Sequence, residues 1–236
     1  MTFYRANSRV CVTGSTRSFR SDRIDSTFSH PIYIGCGKGF FANELARQGN
    51  RVDGVDVLPD APEESELRSY YSADLDNGIA PVLDQLRGRQ YDRVLLLDVL
   101  EHLKDPERIL RQSRTAVKPE GVLIVSVPNV ANITVRLALL FGRFNYQERG
   151  ILDRTHLRFF TRRTARAMLK DQQYEILEER TSIMPLELIL GLSLENPLLR
   201  VMNLALRAAT RVFRGLLGYQ IMLVARPSSP QAGARP

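Results

Sequence analysis

Three histidines occur in the chain, His30, His102 and His156. Two of them sit where side chains could move a proton. His102 follows Asp98-Val99-Leu100-Glu101 directly after the apolar run Tyr91–Leu97, and His156 lies in Leu152-Asp153-Arg154-Thr155-His156-Leu157-Arg158. An imidazole in hydrogen-bond reach of a hydroxyl takes its proton during attack, and a neighbouring carboxylate tunes that imidazole. Each histidine alone reads equally as a polar residue that satisfies loop backbone. Their shared expected place above strand ends favours a working pair, with His156 as general base and His102 and Glu101 beside it.

A second group would hold a ligand by its backbone. Ile32–Gly39 reads I-Y-I-G-C-G-K-G, a short β-prone run followed by Gly35, Gly37 and Gly39. Glycines tolerate the sharp turn and let a ligand lie against bare peptide groups. The helix expected over Phe40–Gln48 aims free N–H groups at whatever occupies that turn. Arg51–Val57 reads as the next strand, and its Asp56 can accept hydrogen bonds from both hydroxyls of a ribose. The G-x-G-x-G spacing departs from the G-x-G-x-x-G of dinucleotide folds and argues against NAD.

The elements that must carry these residues follow an alternating pattern. Strands are expected at Ile32–Ile34, Arg51–Val57, Ser69–Ala73, Tyr91–Leu97, Val122–Val127, Tyr174–Arg180 and Tyr219–Arg226. Helices are expected over Phe40–Gln48 (with Phe40, Phe41, Leu45 and Ala46 facing inward), Ile79–Arg89, Ile133–Phe141 and from Thr161 to about Gln172. Another, capped by Asp105 with Pro106 at its first position, turns Ile109, Leu110, Ala116 and Val117 inward. Lys118–Gly121 reads as a turn and 59–68 as a loop. Apolar strands alternating with helices at this pitch define a doubly wound α/β fold. In such a sheet a ligand lies outside the carboxyl ends of the strands, where Gly35–Gly39, Asp56, Asp74 and Asp98–His102 all fall.

The stretch Ile32–Gly39 with Asp56 resembles motif I and the following strand of class I SAM-dependent methyltransferases. The blocks Ser126-Val127-Pro128-Asn129 and Leu152–Thr161 are similar to a bacterial subgroup associated with cell-surface glycan assembly. The resemblance spans roughly 31–180. It implies a Rossmann-like, mostly parallel seven-stranded sheet with a helical insertion at 183–218 before the last strand. It implies S-adenosyl-L-methionine (SAM) as cofactor, cradled by Gly35, Cys36, Gly37, Gly39, Asp56, Val57, Asp74, Leu75 and Asp98. In the family an acid at the position of Asp74 accepts from the adenine amino group, whereas locally Asp74 also reads as a turn residue before Asn77-Gly78. Tyr33 stands where the family places an acid that helps hold the methionine end of SAM.

Asp98–Leu103 is also similar to the E-x-x-E-H signature of ubiquinone-biosynthesis O-methyltransferases and small-RNA 2′-O-methyltransferases. That likeness implies a divalent-metal set of Asp98, Glu101, His102 and His156. Aspartate in the first position is one methylene shorter than the signature's glutamate and weighs against a metal. The reading preferred here has Asp98 face SAM while His156 acts as base.

Composition bounds the rest. The 236 residues carry a net charge of +7 at pH 7, mostly from arginine, and 44% hydrophobic residues, ordinary for one globular domain. Cys11 and Cys36 suggest no disulfide framework or zinc spacing, consistent with a cytoplasmic setting. No signal peptide or membrane span is expected, since Ile133–Phe141 and Ile183–Leu194 are short and carry Arg136 and Glu187. Residues 1–30 are expected to be poorly ordered, 31–226 to form the domain, and 227–236 to be a disordered tail.

Within the insertion, Arg200, Arg207, Arg211 and Arg214 line one side of a helix. Leu199, Met202, Leu206, Ala209, Phe213 and Leu217 lie away from them. A basic amphipathic helix of this kind over 198–217 either packs on its own domain or a second subunit, the favoured reading, or lies on an anionic membrane. Arg154 and Arg158 could bind a phosphate or carboxylate on an acceptor, or pair with Asp153 and Glu148. The expected activity is O-methylation of a glycan-related or other small hydroxylated acceptor. No nucleic-acid partner is expected, for want of a separate basic binding domain. The alternative is a SAM-binding, catalytically impaired protein that acts through partners.

Overall fold

The computed structural model describes residues 29–193 and 195–228. The N-terminal segment and C-terminal tail expected to lack order therefore lie, almost entirely, outside the described residues.

Seven strands form one sheet in the order β3-β2-β1-β4-β5-β7-β6. They are β1 (Pro31–Ile34), β2 (Asp53–Asp56), β3 (Ser69–Ser72), β4 (Tyr91–Leu97), β5 (Val117–Pro128), β6 (Tyr174–Thr181) and β7 (Gln220–Pro227). β1 to β5 pair in parallel, and β7 inserts antiparallel between β5 and β6. The reversal of strand order between β1 and β4 opens a crevice at their carboxyl ends. Ile32, Ile34, Val94, Leu96, Leu123 and Val125 fill the main core on one face. Tyr33, Leu95 and Ile124 pack on the other, which is why these central strands read as unbroken apolar runs.

The helices are α1 (Phe40–Arg47), α2 (Ala80–Gln85), α3 (Pro106–Ser113), α4 (Ile133–Leu140) and α5 (Arg162–Asp171). The insertion before β7 forms α6 (Leu186–Leu190), α7 (Pro197–Val212) and α8 (Arg214–Leu217). Local chemistry starts them as expected. Asp105 accepts from Arg108 N at 2.9 Å before Pro106, and Thr161 and Thr164 form a reciprocal capping box.

Four expectations change. α2 ends early because Arg87 and Gly88 adopt positive φ, +50° and +77°. On α1 it is Ala42 that is fully buried, while Phe40 points to solvent. The expected turn at Lys118–Gly121 is absorbed into β5 as a bulge, where pairing passes from Tyr91–Val117 to Arg93–Val122. Gly121 permits this, since a Cβ there would stand 2.8 Å from the Tyr91 carbonyl oxygen. On α7, Leu199, Met202, Leu206 and Ala209 do turn inward, but Phe213 is exposed.

Candidate active site

The glycine turn is a closed hydrogen-bonded unit. Gly35, Gly37 and Gly39 have φ of +78°, +53° and +74°, values that side chains rarely tolerate. A Cβ on Gly35 would also stand 2.3 Å from Val99 Cγ2. Gly35 N and Cys36 N both donate to the Val55 carbonyl, at 2.7 and 3.1 Å. Gly37 N donates to Asp56 Oδ2 at 2.6 Å, and Gly39 N donates to the Cys36 carbonyl at 2.9 Å. Asp56 is buried, and its carboxylate anchors the turn to β2. Val57, one residue on, is exposed. Burial, then the charge of Asp56, pushes the Cys36 thiol up to about 12, so it stays neutral. Tyr33 is buried and packs edge-on against Phe41, ring centroids 5.9 Å apart, within the cluster beneath α1.

At the end of β3, Asp74 is exposed and caps a single turn, accepting from Asp76 N at 2.9 Å and Asn77 Nδ2 at 3.0 Å. The local turn role is therefore filled, and Leu75 beside it is buried. Lys104 N donates to Asp76 Oδ1 at 3.0 Å and so ties this turn to the chain after β4.

At the end of β4, Asp98 takes a positive φ of +52°. Its carboxylate accepts from Ser126 Oγ at 2.7 Å and from Gln220 Nε2 at 2.9 and 2.8 Å. Leu100–His102 then forms one tight turn that sends Glu101 inward, only 1% exposed. The loop carrying His156 docks on this turn: Leu157 N and Arg158 N donate to the Glu101 carbonyl at 2.8 and 3.0 Å. His156 and His102 stand edge to face, ring centroids 4.8 Å apart.

One ligand atom each from Glu101, His102 and His156 lies within 4.8 Å of the others. Asp98, expected as a fourth member, is outside this set; its carboxylate is occupied by Ser126 and Gln220. Both Glu101 carboxylate oxygens are buried and, among the described residues, without a hydrogen-bond partner. Burial first, then the charges of Asp98 and Asp153, hold Glu101 well above the usual carboxylate range. His156 Nδ1 lies 3.0 Å from the Ile151 carbonyl and so carries the hydrogen, which leaves Nε2 with its lone pair. Burial, then His102, pulls His156 below its ordinary value. His102 Nδ1 lies 3.2 Å from the Thr155 carbonyl and 3.1 Å from Thr155 Oγ1. Asp153 accepts from Thr155 N and Oγ1 at 2.8 and 2.7 Å. Burial raises its carboxyl, but the Thr155 bonds and the nearby imidazoles outweigh that and leave it below the usual range.

An aromatic shelf extends from this cluster. Phe159 lies 6.3 Å from His156, 5.8 Å from Phe144 and 6.5 Å from Tyr146, centroid to centroid. The contacts that Phe144, Tyr146, Thr155, Ser126 and Gln220 make in the site are not visible in the sequence, because their partners come from other segments. His30 lies apart at the amino end of β1, where its backbone N–H donates to Asp92. Arg154 pairs with Glu148, and Arg158 donates to the Lys104 carbonyl, so neither waits unpaired for an acceptor anion.

The family described as "Methyltransferase domain" matches residues 32–179, more than half of the chain. The chain belongs to that family, and its fold is that of the class I SAM-dependent methyltransferases. Among characterised proteins it resembles the ubiquinone biosynthesis O-methyltransferase of Xanthomonas euvesicatoria pv. vesicatoria, 30% identical over 128 residues, covering 52% of this chain and 53% of that protein. The Xylella fastidiosa enzyme of the same name is 29% identical over 127 residues, with 52% of each chain covered. The chain thus spans about half the length of these relatives.

Among solved structures, a SAM-dependent methyltransferase from Archaeoglobus fulgidus superposes with a TM-score of 0.61 at 17% identity, over 94% of this chain and 95% of that one. The Burkholderia thailandensis 1,6-didemethyltoxoflavin-N1-methyltransferase, solved with S-adenosylhomocysteine, does so with a TM-score of 0.53 at 13% identity, over 95% and 78%. Both show the likeness of fold.

Proposed function

We propose that this chain is a SAM-dependent O-methyltransferase of a small hydroxylated acceptor, among which glycan-related sugars are one class. The observation that carries this reading is the buried, unpartnered Glu101 beside two imidazoles, at the same carboxyl edge of the sheet as the Gly35–Gly39 turn. The turn would receive SAM by its shape, its own peptide groups being paired within the protein, and the first turn of α1 would add backbone N–H groups. Asp56 and Val57 would hold the ribose and Asp74 and Leu75 the adenine, and Asp98 would face the cofactor with its carboxylate fixed by Ser126 and Gln220. The aromatic shelf of Phe144, Tyr146 and Phe159 supports the acceptor, since ring faces pack against the C–H face of a sugar or against another ring.

When bound, SAM would supply a sulfonium methyl group that the acceptor oxygen takes, the carbon–sulfur electron pair staying on sulfur in neutral S-adenosylhomocysteine. The hydroxyl proton passes to His156 Nε2, whose opposite nitrogen is locked to Ile151 and whose lowered pKa keeps it neutral near pH 7.

A divalent cation is the competing reading of the same residues, since His156 Nε2 cannot both bind a cation and take the proton. A carboxylate orphaned in the interior and two imidazoles form a donor set suited to one. Glu101, His102 and His156 would hold it, Asp98 would not, and a cation there would lower the pKa of a hydroxyl bound to it. Thr155 would orient His102, and Ile151 would orient His156.

Calorimetry with SAM, followed by incubation of cell extract with methyl-labelled SAM, tests the proposal. Binding together with label on a hydroxylated product supports it. Binding without transfer turns the assignment to a non-catalytic SAM-binding protein, and no binding at millimolar SAM removes both.

A further inference from the structure

The helix α7 has two apolar faces, and only one of them is covered. Leu199, Met202, Asn203, Leu206 and Thr210 follow the i, i+3, i+4 spacing of a packed stripe and are buried or half-buried. On the opposite side Leu198, Val201, Leu204 and Val212 are 62%, 65%, 69% and 74% exposed. Between the two faces runs a row of arginines, Arg200, Arg207 and Arg211, spaced seven and four residues apart. The helix holds no acidic residue. Among the described residues none of these three arginines joins an ion pair.

The fold fixes where the insertion that carries this helix leaves the sheet. β6 and β5 run the same way, both antiparallel to β7, so the insertion starts and returns at the carboxyl edge of the sheet. It is pinned there by side chains at the entry of α4. Asn129 Nδ2 donates to the Gly218 carbonyl at 2.8 Å, and Asn132 Nδ2 to the same carbonyl at 2.9 Å. A second exposed apolar segment follows from that entry: Leu140 and Phe141 are 76% and 75% exposed, with Arg136 and Arg143 on either side.

We propose that α7 seats the protein on an anionic lipid bilayer, with Leu198, Val201, Leu204 and Val212 in the interface and Arg200, Arg207 and Arg211 against lipid phosphates. A cationic row beside a hydrophobic arc, on a helix too short to span, is the pattern of a helix lying in the headgroup plane. Among the described residues no helix is long and apolar enough to cross a membrane. A second copy of the chain fits the face less well, because a self-complementary pairing would bring arginine rows of like charge together. Nucleic acid would meet the arginines but leave four large aliphatic side chains in water. A bilayer satisfies both halves at once, since anionic lipid attracts the arginines and the acyl boundary takes the aliphatics. It also places the carboxyl edge, and with it the candidate active site, next to the membrane surface. The proposal holds whether or not the site transfers methyl groups.

The test uses the full chain and vesicles of phosphatidylcholine with or without phosphatidylglycerol. The protein has no tryptophan, so Val201→Trp supplies a single reporter whose emission should shift to the blue on binding. Co-sedimentation should require phosphatidylglycerol and weaken as salt rises. Replacing Arg200, Arg207 and Arg211 together with Gln should lower the partition coefficient about a hundred-fold. Leu204→Glu with Val212→Glu should abolish binding. These positions are exposed, and an unchanged thermal transition together with an unchanged SAM titration, measured without vesicles, shows that the fold and the cofactor site survive. Equal binding to both vesicle types, no binding at low salt, or a solution dimer dissolved by Leu204→Glu would each overturn the proposal.

Discussion

The two halves of the site are built on opposite principles. Around Gly35–Gly39 the polar atoms find partners within the protein: peptide groups pair with Val55 and Cys36, and Asp56 is held by Gly37 N. At Leu100–His102 the backbone is equally well pinned, yet the Glu101 carboxylate is stranded in the interior. The first half is shaped in advance and offers a ligand mainly geometry. The second stores an unfavourable burial, about 1 to 3 kcal/mol for a polar group left without a partner, which a proton or a cation would relieve. One half specifies shape and the other specifies charge.

Four substitutions and one pH profile sharpen or break that contrast. The largest effect belongs to His156→Ala, which should lower kcat by about 100- to 10,000-fold while leaving SAM affinity unchanged. Equal losses of SAM affinity and rate would show that the two halves are not separable. In the unaltered protein kcat should rise with pH through a value below the ordinary histidine figure, since burial and His102 lower the His156 pKa. The same shift means that the stability His156 contributes is present above its unfolded pKa and is lost as pH falls through the folded one.

Next comes Gly35→Ala. The added Cβ meets Val99 and must adopt a positive φ, so thermal denaturation should show a loss of about 2 to 4 kcal/mol, and SAM binding should fail with it. Unchanged stability would mean that the turn is less rigid than its hydrogen bonds imply.

Glu101→Gln has the opposite sign. Its raised pKa means that the carboxyl favours the folded state below the unfolded carboxylate value and that this contribution is lost as pH rises through the folded one. At neutral pH the amide should therefore raise stability by roughly 1 kcal/mol while removing uptake of divalent cations in calorimetry. A destabilised variant would show that Glu101 already has a partner in solution. The smallest change is expected from Gln220→Leu, which leaves Asp98 with Ser126 as its side-chain partner: about 1 kcal/mol in stability, read most clearly as weaker SAM binding.

Much of the fold was legible because its signals are local. Apolar runs such as Tyr91–Leu97, Asp105-Pro106, Thr161 with Thr164, and glycines at positive φ each act within a few residues. The short reach of α2 and the bulge at Lys118–Gly121 were less so, since strand pairing with Tyr91 and Arg93 decided the latter. The histidine pair was legible as candidates, but its partners were not. Thr155 and His102 lie 53 positions apart, and Gln220 and Asp98 lie 122 apart.

By itself, then, the chain's order of residues determined the alternation of strands and helices, the glycine turn, and the acids and histidines at strand ends, all effects of neighbours on neighbours. Tertiary structure alone decided which carboxylate is stranded: Glu101 rather than Asp98 joins the imidazoles, because Ser126 and Gln220 reach Asp98 from other strands. It also decided which apolar face of α7 is covered. Periodicity reports that a face is apolar, but burial depends on what the rest of the chain lays against it.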